Sequence, residues 1–115
     1  MTEQQIIVTL ATKVMGWKRY QETDFWFGYN GNLFNSSLWN PLQNIADAWM
    51  IMEEMRKRQY YLVISPCFIG YEVYPQRVNG SRICEEVYAK TVQEAICNAA
   101  MRLVGKEKHD GETAK

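Results

Sequence analysis

Residues 39–58, WNPLQNIADAWMIMEEMRKR, constrain the fold of this chain more than any other stretch. Asn40 fits an N-cap, with a side-chain oxygen for the backbone N–H of Gln43, and Pro41 fits the first helical position, where a missing N–H costs nothing. Gln43 completes the spacing of a capping box. Leu42, Ile45, Trp49, Met52 and Met55 recur at three or four residues, with Ala46 and Ala48 beside them, which predicts one buried apolar stripe. Arg56, Lys57 and Arg58 lie at the end where the helix dipole is negative. The pairs Glu53/Lys57 and Glu54/Arg58 have the favourable i, i+4 order. These signals predict a central helix.

The same reading places elements on both sides of it. Residues 2–15 carry Ile7, Leu10, Ala11 and Val14 at helical spacing, open on a Thr2/Gln5 capping box and meet Gly16, a suitable residue to end a helix. Residues 17–38 have no helical or strand period and many turn residues, yet they and the adjoining Trp39 hold Trp17, Tyr20, Phe25, Trp26, Phe27, Tyr29 and Phe34. That is too aromatic for a disordered linker. It predicts an ordered loop, with room for a short hairpin across Tyr29, Asn30 and Gly31. Strand character follows at 60–65, 68–74 and 82–88, separated by Pro66 and Cys67 and then by Val78, Asn79 and Gly80. Such short connections make the pairings antiparallel. Glu85 and Glu86 leave a carboxylate on each side of the third segment, as on an edge strand or a solvated face. Residues 91–104 predict a last helix with a Thr91/Glu94 capping box, a stripe of Val92, Ile96, Ala99, Ala100 and Leu103, and Gly105 as its end.

The expected fold is therefore α+β, a three-stranded antiparallel sheet with three helices in the order α, aromatic loop, α, β, β, β, α. Residues 1–105 form one domain and 106–115 a polar disordered tail.

Charge and composition narrow the function. Thirteen acidic and 13 basic side chains leave no net field to attract a nucleic-acid backbone or an anionic membrane. No apolar run approaches the length of a membrane span, and MTEQQ lacks a signal-peptide pattern, so a cytoplasmic protein is expected. Cys67, Cys84 and Cys97 have neither disulfide-framework nor metal-ligand spacing, and the sole histidine, His109, lies in the polar tail, so neither metal nor cofactor is expected. A nucleophile would need a base near it, and adjacent carboxylates such as Glu53/Glu54 point apart on a helix. An enzyme is not expected.

Binding is read differently. Trp17, Trp26 and Tyr29 beside Arg19 offer flat faces and positive charge, which suits a nucleobase with phosphates. The alternative is a loop that closes the core. Trp39, Asn40, Asn44 and Asp47 adjoin this loop at the start of the central helix. Asn40, Asn44 and Asp47 lie on one side of that helix, either as a ligand site near its N-terminus or as anchors for loop backbone.

Two segments carry a family resemblance. WNPLQNIADAWMIMEEM and EAICNAAMRLVG, supported by ATKVMGW, resemble the phage ABA-sandwich domain family of bacteriophages and prophages. The resemblance implies a layered α/β/α sandwich of viral origin and brings no catalytic residues. The order helix, three strands, helix also resembles a double-stranded-RNA-binding domain, but residues 91–94, Thr-Val-Gln-Glu, lack the lysines that such domains set against phosphate, so nucleic-acid binding is not expected. The resulting expectation is a non-enzymatic phage or prophage accessory protein that sequesters a nucleotide-type host-defence signal. The alternative is an interaction or structural protein acting as a small homo-oligomer.

Overall fold

The computed structural model describes residues 2–19, 25–27, 33–35 and 38–113. Its elements in chain order are α1 (Glu3–Thr9), a π-helical turn (Leu10–Val14), β1 (Lys18–Arg19), β2 (Phe25–Phe27), β3 (Leu33–Asn35), α2 (Ile45–Lys57), β4 (Tyr61–Cys67), β5 (Gly70–Gln76), β6 (Val87–Ala89) and α3 (Val92–Thr113). The fold is α+β, as expected, with three helices and the antiparallel sheet β4-β5-β6. A second small sheet, β1-β2-β3, is built from the aromatic segment.

Helix α1 begins as its sequence directs, with both halves of the Thr2/Gln5 capping box formed. It then widens into the π-helical turn, where the N–H of Met15 reaches the carbonyl of Leu10 and that of Trp17 reaches Ala11. Gly16 follows at φ 73°, a left-handed conformation that favours glycine. The carbonyls of Lys13 and Val14, left over at the helix end, accept from the Arg58 guanidinium at 3.1 and 2.7 Å. Arg58 thus ties the end of α2 to the end of the first helical segment, in place of the expected pair with Glu54. The ion pairs on α2 are Arg56–Glu53 and Lys57–Glu54, at i, i+3 spacing.

The start of α2 corrects the sequence reading. Asn40 is not the N-cap: the N–H groups of Gln43 and Asn44 both return to its carbonyl, closing residues 40–44 into a turn of their own. Asn44 is extended (φ −122°, ψ 119°) and caps the helix, its Oδ1 accepting from Ala46 and Asp47. With two capping asparagines four residues apart, the second wins because the first is spent on the turn at Pro41. The buried face is also rotated. Ala48, Ile51 and Met55 face the core, whereas Ile45 and Trp49 are exposed.

The other end of α2 closes in a Schellman arrangement. The N–H of Tyr60 bonds the carbonyl of Met55 and that of Gln59 bonds Arg56, with Gln59 left-handed at φ 67°.

In the main sheet β5 is central. Cys67 pairs with Gly70, so the hairpin turn is Phe68–Ile69 rather than Pro66–Cys67, and Pro66 lies within β4 opposite Tyr71. An outer strand tolerates proline because its missing N–H leaves no ladder bond unmade. The expected third strand over 82–88 is reduced to β6 and one bridge, Gln76 to Arg82. Pro75 in β5 lies where the β6 ladder has ended, and its carbonyl accepts instead from Ile83. The Val78–Gly80 turn forms as expected, with Gly80 at φ 90° and Asn79 Oδ1 accepting from the N–H and hydroxyl of Ser81.

Helices α2 and α3 pack on each other and on the sheet, α2 against β4 and α3 against β5 and β6. Alternation along the strands places Leu62, Val73 and Val87 in the core while Tyr61 and Tyr88 are exposed. Ala95, Ala99 and Ala100 of α3 are wholly buried, so the neighbouring elements approach its backbone closely. Leu10, Ile51, Ile96 and Leu103 are fully buried, each contributing about 1.5–3 kcal/mol of burial free energy. Gly105 does not end α3, which runs on to Thr113 where a disordered tail was expected. Gly105 keeps a helical φ, and the Lys-Glu-Lys that follows has good helix propensity.

Candidate interaction surface

The residues expected to bind a ligand fall into three groups. Trp17, Trp26 and Trp39 are core residues, only 5, 2 and 4 % exposed. Trp17 and Trp39 meet edge to face, with ring centroids 4.8 Å apart and planes at 71°. A buried indole has no face on which a base can stack, so these three rings serve the core. β2 and β3 pair antiparallel with Phe27 opposite Leu33, and residues 29–31, where a short hairpin was expected, lie outside the described residues. Tyr29 and the side chain of Arg19 lie outside the described residues.

The structure does bring Asn40, Asn44 and Asp47 together. The Asn40 side chain accepts from Leu42 at 3.1 Å and donates to Glu3 at 3.0 Å, while its backbone N–H donates to Asp47 Oδ2 at 2.8 Å. Asn44 is occupied as the cap. These polar groups anchor the chain where it leaves the aromatic segment, the backbone-anchoring role among the two expected for Asp47. No polar or charged residue is fully buried among the described residues.

What lies open is the outer face of α2. Ile45 is 48 % and Trp49 53 % exposed, with Met50 beside them. Trp49, Met52, Glu53 and Arg56 of α2 line a groove with Tyr60, Tyr61 and Leu62 at the start of β4. Beyond it is an outer edge of the sheet, since β4 has a strand neighbour on one side only among the described residues. The direction of its free groups follows from Pro75. The Pro75 carbonyl points toward Ile83, away from β4, so Leu62 opposite Pro75 is a non-hydrogen-bonded pair in the β4–β5 ladder. The N–H and C=O of Leu62 therefore point outward, and those of Ile64 and the carbonyl of Pro66 follow at the period of two.

The sequence carried a sign of this surface. Helix α2 is apolar nearly all round, with Ile45, Ala46, Ala48, Trp49, Met50, Ile51, Met52 and Met55. One core can bury one face, so apolar residues in excess of a stripe signal a second contact.

Two further clefts carry charged side chains. One, of about 490 Å³, is bounded by Ile6, Val87, Tyr88, Asn98, Met101 and Arg102 together with Glu86. Glu86 is paired with Arg82 at 2.9 Å and accepts from the Tyr88 hydroxyl at 3.2 Å. A hydrogen bond from its own backbone N–H, with Tyr88 and Arg82, holds its carboxyl below the usual range despite an opposing burial cost. Arg82 also lies over the Tyr74 ring at 3.9 Å. The second cleft, of about 380 Å³, is bounded by Arg58, Gln59, Tyr60, Arg77, Val78 and Asn79.

Architecture and surface together define a small layered α+β domain whose helices back an antiparallel sheet. The chain belongs to the phage ABA sandwich domain family, whose model matches residues 8–101. It is similar in fold to a phage protein from Bacillus cereus ATCC 14579 of known crystal structure. That likeness has 23 % sequence identity and a TM-score of 0.67, and covers 91 % of this chain and 89 % of that one. Among curated proteins none matches the sequence. Among the described residues no helix is long and apolar enough to cross a membrane.

Proposed function

We propose that this phage protein is a non-enzymatic accessory factor of the host cytoplasm that acts by protein–protein contact through the outer face of α2 and the edge of β4. The observation that carries the reading is Trp49, a large aromatic left 53 % exposed on a helix whose opposite face is buried. Tryptophan is enriched among the residues that dominate binding interfaces, and its neighbours Ile45 and Met50 extend the apolar patch around it. Arg56 and Glu53 supply a polar rim. A photo-crosslinking amino acid at position 49, in cells carrying the phage or prophage, tests this. Protein adducts are expected there and not with the same probe at Lys90; equal yields at both positions would overturn the reading.

A second reading, capture of a nucleotide-type defence signal, moves from the buried tryptophans to the cleft of Arg58, Tyr60, Arg77 and Asn79, which combines two guanidinium groups with an aromatic ring. Calorimetry with cyclic nucleotides and ADP-ribose tests it. Binding that is lost in Arg77→Ala supports it, and silence at high micromolar ligand removes it.

A further inference from the structure

We infer that the partner on this face is a second copy of the same chain, joined about a two-fold axis by antiparallel pairing of β4 with β4 centred on Val63. This rests on the protein-contact reading above and names its occupant.

Three features select a like copy. The first is the pattern of free main-chain groups. Only Leu62 and Ile64 present both a donor and an acceptor outward in β4, because Pro66 keeps its carbonyl but has no N–H. A two-fold about Val63 sets Leu62 of each copy opposite Ile64 of the other, so every one of these outward groups is paired and Pro66 stays outside the ladder. Shifting the centre to Ile64 would set Leu62 against Pro66 and leave a Leu62 carbonyl without a donor. Proline thus fixes the register as well as the length of the contact.

The second feature is the layer behind the strand. Helix α2 packs on β4 at the sheet edge, so continuing the sheet across that edge brings the two α2 helices side by side and antiparallel. Their facing sides carry the exposed Ile45 and Trp49, with the part-buried Met52 next at helical spacing. The bare parts of Ile45 and Trp49 amount to roughly 200 Å² of apolar side chain per copy, about a quarter of the ~800 Å² per partner in a standard interface, before the strand and the rim are counted. An isologous contact must be self-complementary, and this one has a single apolar ridge at its centre.

The third feature is charge. The chain has no net charge, and the rim of the patch carries one residue of each sign, Glu53 and Arg56. Glu53 and Arg56 neutralise each other within each copy, so two copies meet without like-charge repulsion.

The experiment combines mass with a register-specific crosslink. Light scattering of the purified full chain is expected to give twice its 13.5 kDa mass. Trp49→Glu, checked for an unchanged far-ultraviolet circular dichroism spectrum, is expected to weaken association at least a hundredfold. In a Cys67→Ser, Cys84→Ser background, Val63→Cys is expected to form an intermolecular disulfide on mild oxidation. Opposed residues of a non-hydrogen-bonded pair lie about 4.5 Å apart at Cα, within disulfide range. Ser65→Cys, in the same background, should not. A monomer at all concentrations overturns the proposal, as does a dimer that survives Trp49→Glu or crosslinks through position 65 rather than 63. A monomer that still gives adducts with another protein at position 49 retains the contact reading and removes only the second copy.

Discussion

Asp47 accepts the backbone N–H of Asn40 through Oδ2 at 2.8 Å, seven residues back along the chain, and so holds the segment leaving the aromatic sheet against the first turn of α2. This bond joins a carboxylate to a part-buried donor that has no strand or helix partner. Asp47→Ala is expected to lower stability by about 1.5–3 kcal/mol, the range for hydrogen bonds to charged groups, and Asp47→Asn by less. Urea unfolding of the three proteins checks it, with the midpoints ordered wild type, Asn, Ala.

Gln59 is a residue whose replacement should strengthen the protein. It occupies the left-handed position of the Schellman turn at φ 67°, where a side chain with a Cβ is strained and glycine is not. Gln59→Gly is expected to gain about 1 kcal/mol, the relief of that strain reduced by the extra freedom of glycine in the unfolded chain. Thermal unfolding followed by circular dichroism should show a higher midpoint.

The tryptophans should separate into two classes. Trp26→Ala empties the core at a residue 2 % exposed and is expected to cost about 3–5 kcal/mol. Trp49→Ala, at 53 % exposure, is expected to change the stability of the isolated chain by no more than about 0.5 kcal/mol. Measuring both at a concentration low enough to keep the chain monomeric isolates the folding effect from association.

Gly70 closes the β4–β5 hairpin at φ 142°, and a Cβ there would strike the Ala89 carbonyl oxygen and come within 2.9 Å of the Lys90 Cα. Both obstacles are backbone, which cannot swing aside as a side chain does. Gly70→Ala is expected to destabilise by about 3 kcal/mol or more. Gly80→Ala, at φ 90° but with open space around it, should cost about 1–2 kcal/mol from backbone strain alone. Parallel denaturant titrations give the comparison.

Burial, with a smaller effect of Glu94, pushes the Cys97 thiol up to about 12. Native protein at neutral pH is therefore expected to titrate with a thiol reagent at the half-buried Cys67 and Cys84 and to leave Cys97 unmodified until it unfolds. The folded pKa is raised, so the contribution of this group to stability is full below the ordinary thiol pKa and is lost as pH rises from there toward 12. Cys97→Ala should flatten the alkaline decline, read as unfolding midpoints between pH 8 and 10.

By itself the sequence determined the elements that rest on local chemistry. The Thr2/Gln5 box, the Thr91 cap, the turn at Asn79–Gly80 and the cationic end of α2 each need only neighbours in the chain, and each stands where its residues put it. The tertiary structure decided everything that required a choice between equivalent local options. Asn40 and Asn44 are both good caps, and the turn at Pro41 chose the second. Two apolar faces of α2 satisfy the helical period, and packing on α3 and β4 buried Ala48, Ile51 and Met55 while leaving Ile45 and Trp49 in solvent. Trp17 and Trp26, open to either a stacking or a core-closing role, became core, because whether an aromatic ring faces water or protein depends on the packing around it, which the spacing of residues along one chain does not contain.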